Sequence, residues 1–146
     1  HDSTECVGYV IDFMNQRILI VTDCGQPNEE METYLRTANH VIIEANHDEH
    51  LLLNGPYPTY LKQRILSPRG HQSNDTCGQL LVRNYHKGLR HVWLCHLSLE
   101  NNDPLVAYDT VCAHLEKINI VPGRDIFLET LERTTAGPVY ELSAKE

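Results

Sequence analysis

His91-Val92-Trp93-Leu94-Cys95-His96-Leu97-Ser98-Leu99-Glu100-Asn101-Asn102-Asp103-Pro104 passes from an apolar run of strand length, through a polar loop, to a helix start. The run 91–95 predicts a buried strand. Asp103 followed by Pro104 predicts a helix whose one face carries Leu105, Tyr108, Val111, Cys112 and Leu115. Working outward, Ile126–Leu131 and Val139–Leu142 read as a hairpin-like pair around Gly137-Pro138. Upstream, Ser73 or Asn74 caps a helix running to His86 and stopped by Gly88, and Pro58 opens a helix through Leu66. Val41–Glu44 is a short strand of the buried type. Asn28 caps a helix from Glu29 to Arg36 with acidic residues in its first turn. Val7–Asp12 and Arg17–Thr22 form a hairpin over Phe13–Gln16. Strands alternating with helices predict a layered α/β domain. The sequence has no internal repeat, low-complexity tract or linker, so residues 1–146 read as one domain.

The chain has 146 residues and 16.7 kDa, and 12 Lys+Arg against 20 Asp+Glu set a formal net charge of −8. A chain of this length buries roughly 68–70% of its unfolded surface, enough for a core without staples. Apolar runs such as Ile18–Val21 and Leu51–Leu53 are far too short to cross a bilayer, and no signal-like segment opens the chain; the expectation is a protein without a membrane partner. Five cysteines at scattered positions, with no Cys-x-x-Cys pair, predict reduced thiols and a cytoplasmic location. The acidic balance argues against a broad phosphate-binding face, but not against a local positive groove. Lys62, Arg64 and Arg69 form the one local basic cluster near a candidate site residue, which a solvated helix face explains equally well. Residue 1 is histidine, which reads either as removal of a preceding segment or as a part of a longer chain.

Three polar clusters directly follow strands: Thr22-Asp23-Cys24-Gly25, Glu44-Ala45-Asn46-His47-Asp48 and His96-Leu97-Ser98. Ligand sites of open α/β sheets lie beyond the carboxyl ends of strands, so the three are expected to share one site. Imidazole nitrogen and carboxylate oxygen are ligands for a metal such as zinc, and one carboxylate can bridge two ions; Asp23 is the acid placed for that role. In Arg69-Gly70-His71-Gln72-Ser73-Asn74 a histidine stands just before a helix start, a position for proton transfer or anion contact. Each residue also has a plain structural reading: a turn aspartate, a strand-end histidine, and a loop histidine beside a capping serine.

Taken together, His1-Asp2-Ser3, Val7-Gly8-Tyr9, Thr22-Asp23-Cys24-Gly25, Glu44-Ala45-Asn46-His47-Asp48, Gly70-His71-Gln72-Ser73-Asn74, Cys95-His96-Leu97-Ser98 and Asn101-Asn102-Asp103-Pro104 resemble the metallo-β-lactamase-fold hydrolases. The branch they resemble is YycJ/WalJ, related to RNase Z and RNase J, and the likeness runs in order along the whole chain. It implies that His1 binds a first metal, Asp23 bridges both metals and His96 binds the second. His71 is implied as the group that protonates the leaving oxygen or holds the phosphate, with Asn46, His47 and Ser73 as candidate site-lining residues. The His-x-His-x-Asp-His signature of that family is absent. The resemblance therefore implies the C-terminal half of an αβ/βα sandwich, one mixed sheet with helices on one face, lacking its N-terminal half.

The implied activity is phosphodiester hydrolysis with two divalent ions, zinc or manganese, and nucleic acid as substrate, with DNA attacked 5′-to-3′ in the complete enzyme. Alone, the chain is expected to bind metal weakly, to be inactive, and to self-associate through an exposed sheet face. Three other readings stay open: a lactamase-like or thioester hydrolase of the same fold, a copper chelate at a free N-terminal His1, and a non-catalytic remnant or binding domain.

Overall fold

The computed structural model describes residues 7–142. The elements run β1 (Tyr9–Phe13), β2 (Gln16–Val21), α1 (Glu29–Leu35), β3 (His40–Glu44), α2 (Glu49–Asn54), α3 (Thr59–Leu66), α4 (Asn74–Arg83), β4 (His91–Cys95), α5 (Pro104–Glu116) and β5 (Phe127–Thr130). The strands form a single sheet in the order β1-β2-β3-β4-β5. β1 pairs antiparallel with β2 through a tight turn at Met14 and Asn15, both at positive φ; the later pairs are parallel. Parallel neighbours joined in sequence by helical crossovers of one hand place those helices on one face. The expected mixed sheet is present.

That face holds the core. Leu19 and Val21 of β2, Val41 and Ile43 of β3, Val92 and Leu94 of β4 and Leu128 of β5 are all buried and alternate along their strands. They meet Met31 and Leu35 of α1, Leu80 and Leu81 of α4, and Ala107, Val111 and Leu115 of α5. Side-chain caps start the helices: Asn28 accepts from the Met31 N–H at 2.8 Å, Ser73 from Thr76 at 3.2 Å and Asp103 from Leu105 at 2.8 Å.

Several sequence expectations are corrected. Leu105 does not join the core face of α5; it is 73% exposed, and the small Ala107 takes the buried position. Helix α4 ends at Arg83, where Asn84 closes it, while the His86 ring turns back to the Ala38 carbonyl at 3.0 Å. Pro58 is the N-cap of α3, not its first helical residue. Helix α2 was not expected: Asp48 caps it by accepting from the Leu51 N–H at 2.8 Å. Val139–Leu142 is no strand. Tyr140 instead packs edge-on against Trp93 (5.1 Å between ring centroids) and Phe127 (5.9 Å), and its hydroxyl donates to Glu129 at 2.6 Å.

The second sheet face is also apolar. Ile11, Ile18, Ile42, Trp93 and Phe127 stand on it, and the segment around Tyr140 covers part of it. Tyr9 and Ile11 remain 61% and 46% exposed.

On this face His40 is fully buried, its Nε2 on the Gln16 side-chain oxygen at 2.5 Å and its Nδ1 on the His91 Nδ1 at 3.0 Å. Burial, aided by the neighbouring His91 and Arg90 charges, pushes its pKa down to about 4. The unfolded chain then takes up a proton near pH 6.5 that the fold refuses, so stability is full above pH 6.5 and falls as pH drops toward 4. Relative to a His40→Gln variant, the wild type should lose about 2 kcal/mol between pH 7 and pH 5. Urea unfolding of both proteins at the two pH values measures this; parallel losses would contradict it.

Candidate active site

The carboxyl ends of β2, β3 and β4 lie side by side because the parallel register pairs Val21 with Ile43, Ile43 with Leu94 and Glu44 with Cys95. At two of these ends the backbone turns sharply: Asp23 and His96 both have φ 58°, a region sparsely populated by residues with a side chain. Such strain persists where surrounding structure imposes it, and it concentrates at functional sites. The turns re-aim both side chains toward the same hollow.

His71 arrives from a different direction. Its N–H donates to the Ile65 carbonyl at 3.1 Å, drawing the loop back onto the end of α3. Gly70 makes this approach possible: a Cβ there would sit 2.0 Å from the Ile65 carbonyl oxygen. Gly25 does the same across the site, since its Cβ would fall 2.6 Å from the Pro68 carbonyl oxygen. The aspartate loop and the histidine loop therefore touch backbone to backbone.

Glu44 organises the centre. It is 1% exposed, and its Oε1 receives the Nδ1 of His71 at 2.7 Å and the Nδ1 of His96 at 2.9 Å. The Cys24 N–H donates to its other oxygen at 3.1 Å. Burial works to raise the carboxyl pKa, but the hydrogen bonds from His71 and His96, the His71 charge and the Cys24 N–H outweigh it, and Glu44 is held below the usual carboxylate range. The hydrogen bond to Glu44 in turn raises the pKa of His96 above its ordinary value, against its partial burial. Both rings thus share one acceptor through Nδ1, which sets their orientation.

Asp23 faces both rings, its Oδ1 3.8 Å from the His71 Nδ1 and 3.7 Å from the His96 Nε2. The ring centroids lie 5.3 Å apart. Asp23, His71 and His96 each offer a ligand atom within 4.8 Å of the others. Two imidazoles and a carboxylate, with buried Glu44 bound to Nδ1 of both rings, form a donor set suited to a divalent metal.

Of the remaining candidates, Asn46 lines the adjacent cavity and its Nδ2 donates to the His96 carbonyl at 2.9 Å. His47 and Ser73 do not line it. They pair with each other through an isolated parallel bridge, Ser73 caps α4, and His47 is 1% exposed with its pKa pushed down to about 4 by burial. His1 lies outside the described residues. Glu44 is the member of the cluster that carried no role in the sequence reading. One acid at the end of an apolar strand was its only signal, and its two histidine partners come from positions 27 and 52 residues away.

The cavity has a volume of about 750 Å³ and opens beside His71 and His96. No described helix is long and apolar enough to cross a membrane.

A mixed α/β sheet with helices on one face and a histidine–carboxylate cluster at its strand ends has the architecture of half a metallo-β-lactamase sandwich. No family model matches the chain. It is 32% identical over 142 residues to "Exodeoxyribonuclease WalJ" of Streptococcus pneumoniae serotype 2, covering 97% of this chain and 53% of that protein. It is 33% identical over 117 residues to "Exodeoxyribonuclease YycJ" of Bacillus anthracis, covering 80% of this chain and 44% of that protein. The chain spans about half the length of the curated relatives it matches, and over that span it is similar to the WalJ/YycJ exodeoxyribonucleases, consistent with a C-terminal part of such a protein.

Proposed function

We propose that this chain is the C-terminal half of a two-metal phosphodiester hydrolase, a DNA exonuclease acting 5′-to-3′ when its N-terminal half is present. The observation that carries this reading is the convergence of Asp23, His71 and His96 around buried Glu44. Asp23 and His96 would hold metal, with His1 as a further ligand. Zinc or manganese, when bound, lowers the pKa of a coordinated water and neutralises charge on the phosphoryl oxygens. The chain's own residues do the rest. Asp23 and His96 present their donor atoms from strained turns on rigid strand ends. His71, with Nδ1 held by Glu44, presents Nε2 to the leaving oxygen and gives it a proton.

Two ligands and one shared carboxylate are too few for tight binding of two ions, so the chain alone is inactive. Its apolar second sheet face, with Tyr9 and Ile11 exposed, is where the other half packs and where the chain self-associates without it. Cys77, Cys95 and Cys112 form no disulfide among the described residues, in keeping with a reducing, cytoplasmic setting.

The test is substrate class in the full-length protein loaded with zinc or manganese. It is expected to hydrolyse bis(p-nitrophenyl) phosphate and shorten DNA while leaving a β-lactam and an acyl thioester intact. Turnover of the thioester without phosphodiester cleavage would overturn the reading.

A further inference from the structure

We propose that Asn46 is a positioning residue for His96: its side-chain amide holds the His96 turn in the left-handed backbone conformation that aims the imidazole at Asp23. This rests on the two-metal reading and names what sets one of its ligands.

His96 is the first residue past β4, and at φ 58° it departs sharply from the extended backbone of Cys95. A residue with a Cβ stays in that region only when its surroundings impose it. The stretch that continues β3 supplies the constraint. The Ala45 N–H donates to the Cys95 carbonyl at 3.0 Å, and the Asn46 carbonyl accepts from the Ser98 N–H at 2.7 Å. Both are backbone bonds, which almost any residue at 45 or 46 could make. Between them stands the His96 carbonyl, and its partner is a side chain: the Asn46 Nδ2 donates to it at 2.9 Å. The same Nδ2 lies 3.4 Å from the His96 Nδ1, the ring atom bound to Glu44 at 2.9 Å. One amide therefore lies against both the main chain and the ring of a single residue.

The chemistry selects asparagine for this place. A carbonyl oxygen needs a donor, and an ionised aspartate or a leucine of similar shape offers none. Asn46 is itself buried, so its amide needs the carbonyl as much as the carbonyl needs the amide. The other members of the cluster are held by different means. The Asp23 turn is packed through Gly25 against the backbone of Pro68 and Gly70, and His71 is drawn in by its bonds to Ile65 and Glu44. The Asn46 backbone N–H, on the Gln72 carbonyl at 2.8 Å, survives any substitution except proline. Loss of the amide thus frees the His96 turn alone, and the 3.7 Å approach of the His96 Nε2 to Asp23 is the distance that opens.

The experiment uses the full-length protein and two variants without the donor, Asn46→Leu, which keeps the shape, and Asn46→Ala, which adds no bulk. Asn46→Gln keeps a donor. Asn84→Leu is the control, because Asn84 is buried and its Nδ2 likewise donates to a backbone carbonyl, that of Leu80 at 2.9 Å, at the far end of α4. Circular dichroism checks that each variant is folded. In EDTA, the ¹³C shifts of the His96 backbone and the ¹⁵N shifts of its ring should move in N46L and N46A, while those of His71 stay. Zinc titration against a competing chelator should then show one of two ions bound about 10–100-fold more weakly and the other as in wild type. Asn46→Gln should recover part of that loss, and Asn84→Leu should bind both ions like wild type while melting at a lower temperature. Unchanged His96 shifts in the folded variants, or equal weakening of both ions, overturns the proposal. A wild-type protein that takes up no zinc and turns over no phosphodiester would instead overturn the functional reading, and the His96 shifts in EDTA would still decide the role of Asn46.

Discussion

Asp23→Ala in the full-length protein should lose at least one of two bound metal ions and at least about 100-fold of phosphodiester activity. The magnitude follows by comparison, since residues that only orient a metal ligand are worth 10–100-fold and Asp23 is itself placed as a ligand. Its carboxylate faces both His71 and His96 at under 4 Å from a backbone turn of φ 58°, and the other acid of the cluster among the described residues, Glu44, already receives three hydrogen bonds. The alanine leaves the imidazoles in place and removes the anion between them. Metal content by mass spectrometry and turnover of bis(p-nitrophenyl) phosphate measure the outcome. Two ions retained with Asp23 gone would contradict the bridging role and leave the carboxylate a turn residue.

Glu44→Gln should weaken metal affinity by about 10–100-fold. The side chain keeps its shape but loses its charge and one acceptor. Three donors point at the wild-type carboxylate, from His71, His96 and the Cys24 N–H, and an amide presents an NH₂ to at least one of them. The rings are then free to turn or change tautomer, and the site loses the preset direction of two Nε2 atoms. A buried donor left without a partner also costs about 1–3 kcal/mol in stability. A chelator competition assay gives the affinity, and ¹⁵N spectra of the two imidazoles report the tautomer directly. Wild-type affinity with both Nδ1 protons displaced would remove Glu44 from the metal site and leave it a packing residue. A shift in tautomer together with the affinity loss separates positioning from general destabilisation.

Much of the frame was legible because its signals are local. Apolar runs at 17–22, 41–44 and 91–95 read as strands of a layered α/β domain, and Asn28, Ser73 and Asp103 each cap the next turn through their own side chains. Where expectation failed, a distant partner had decided. Leu105 has the residue type of a core position, but α5 packs on α4 and β5 through the face that carries Ala107, Val111 and Leu115, and Leu105 is left outside it. Val139–Leu142 has strand-like composition, yet it does not pair with the open edge of β5; Tyr140 packs instead on Trp93 and Phe127 across the sheet face. Helix α2 carries no sequence signal of its own beyond Asp48, whose place in the polar cluster 44–48 also fits a loop, and whose side chain serves as the cap.

For the site, residue types and order along the chain determined which groups were eligible: an aspartate, two histidines and the strand ends that precede Asp23 and His96. They did not determine which eligible groups meet. That Glu44 is the shared acceptor, that His71 joins the cluster while His47 and Ser73 turn inward, and that Arg133 crosses to the same opening as Arg64 and Arg69 depend on the tertiary fold. The physical reason is range. Capping and periodicity act over one turn of backbone, whereas a buried carboxylate finds its donors only after parallel strands have brought positions tens of residues apart to the same edge of the sheet.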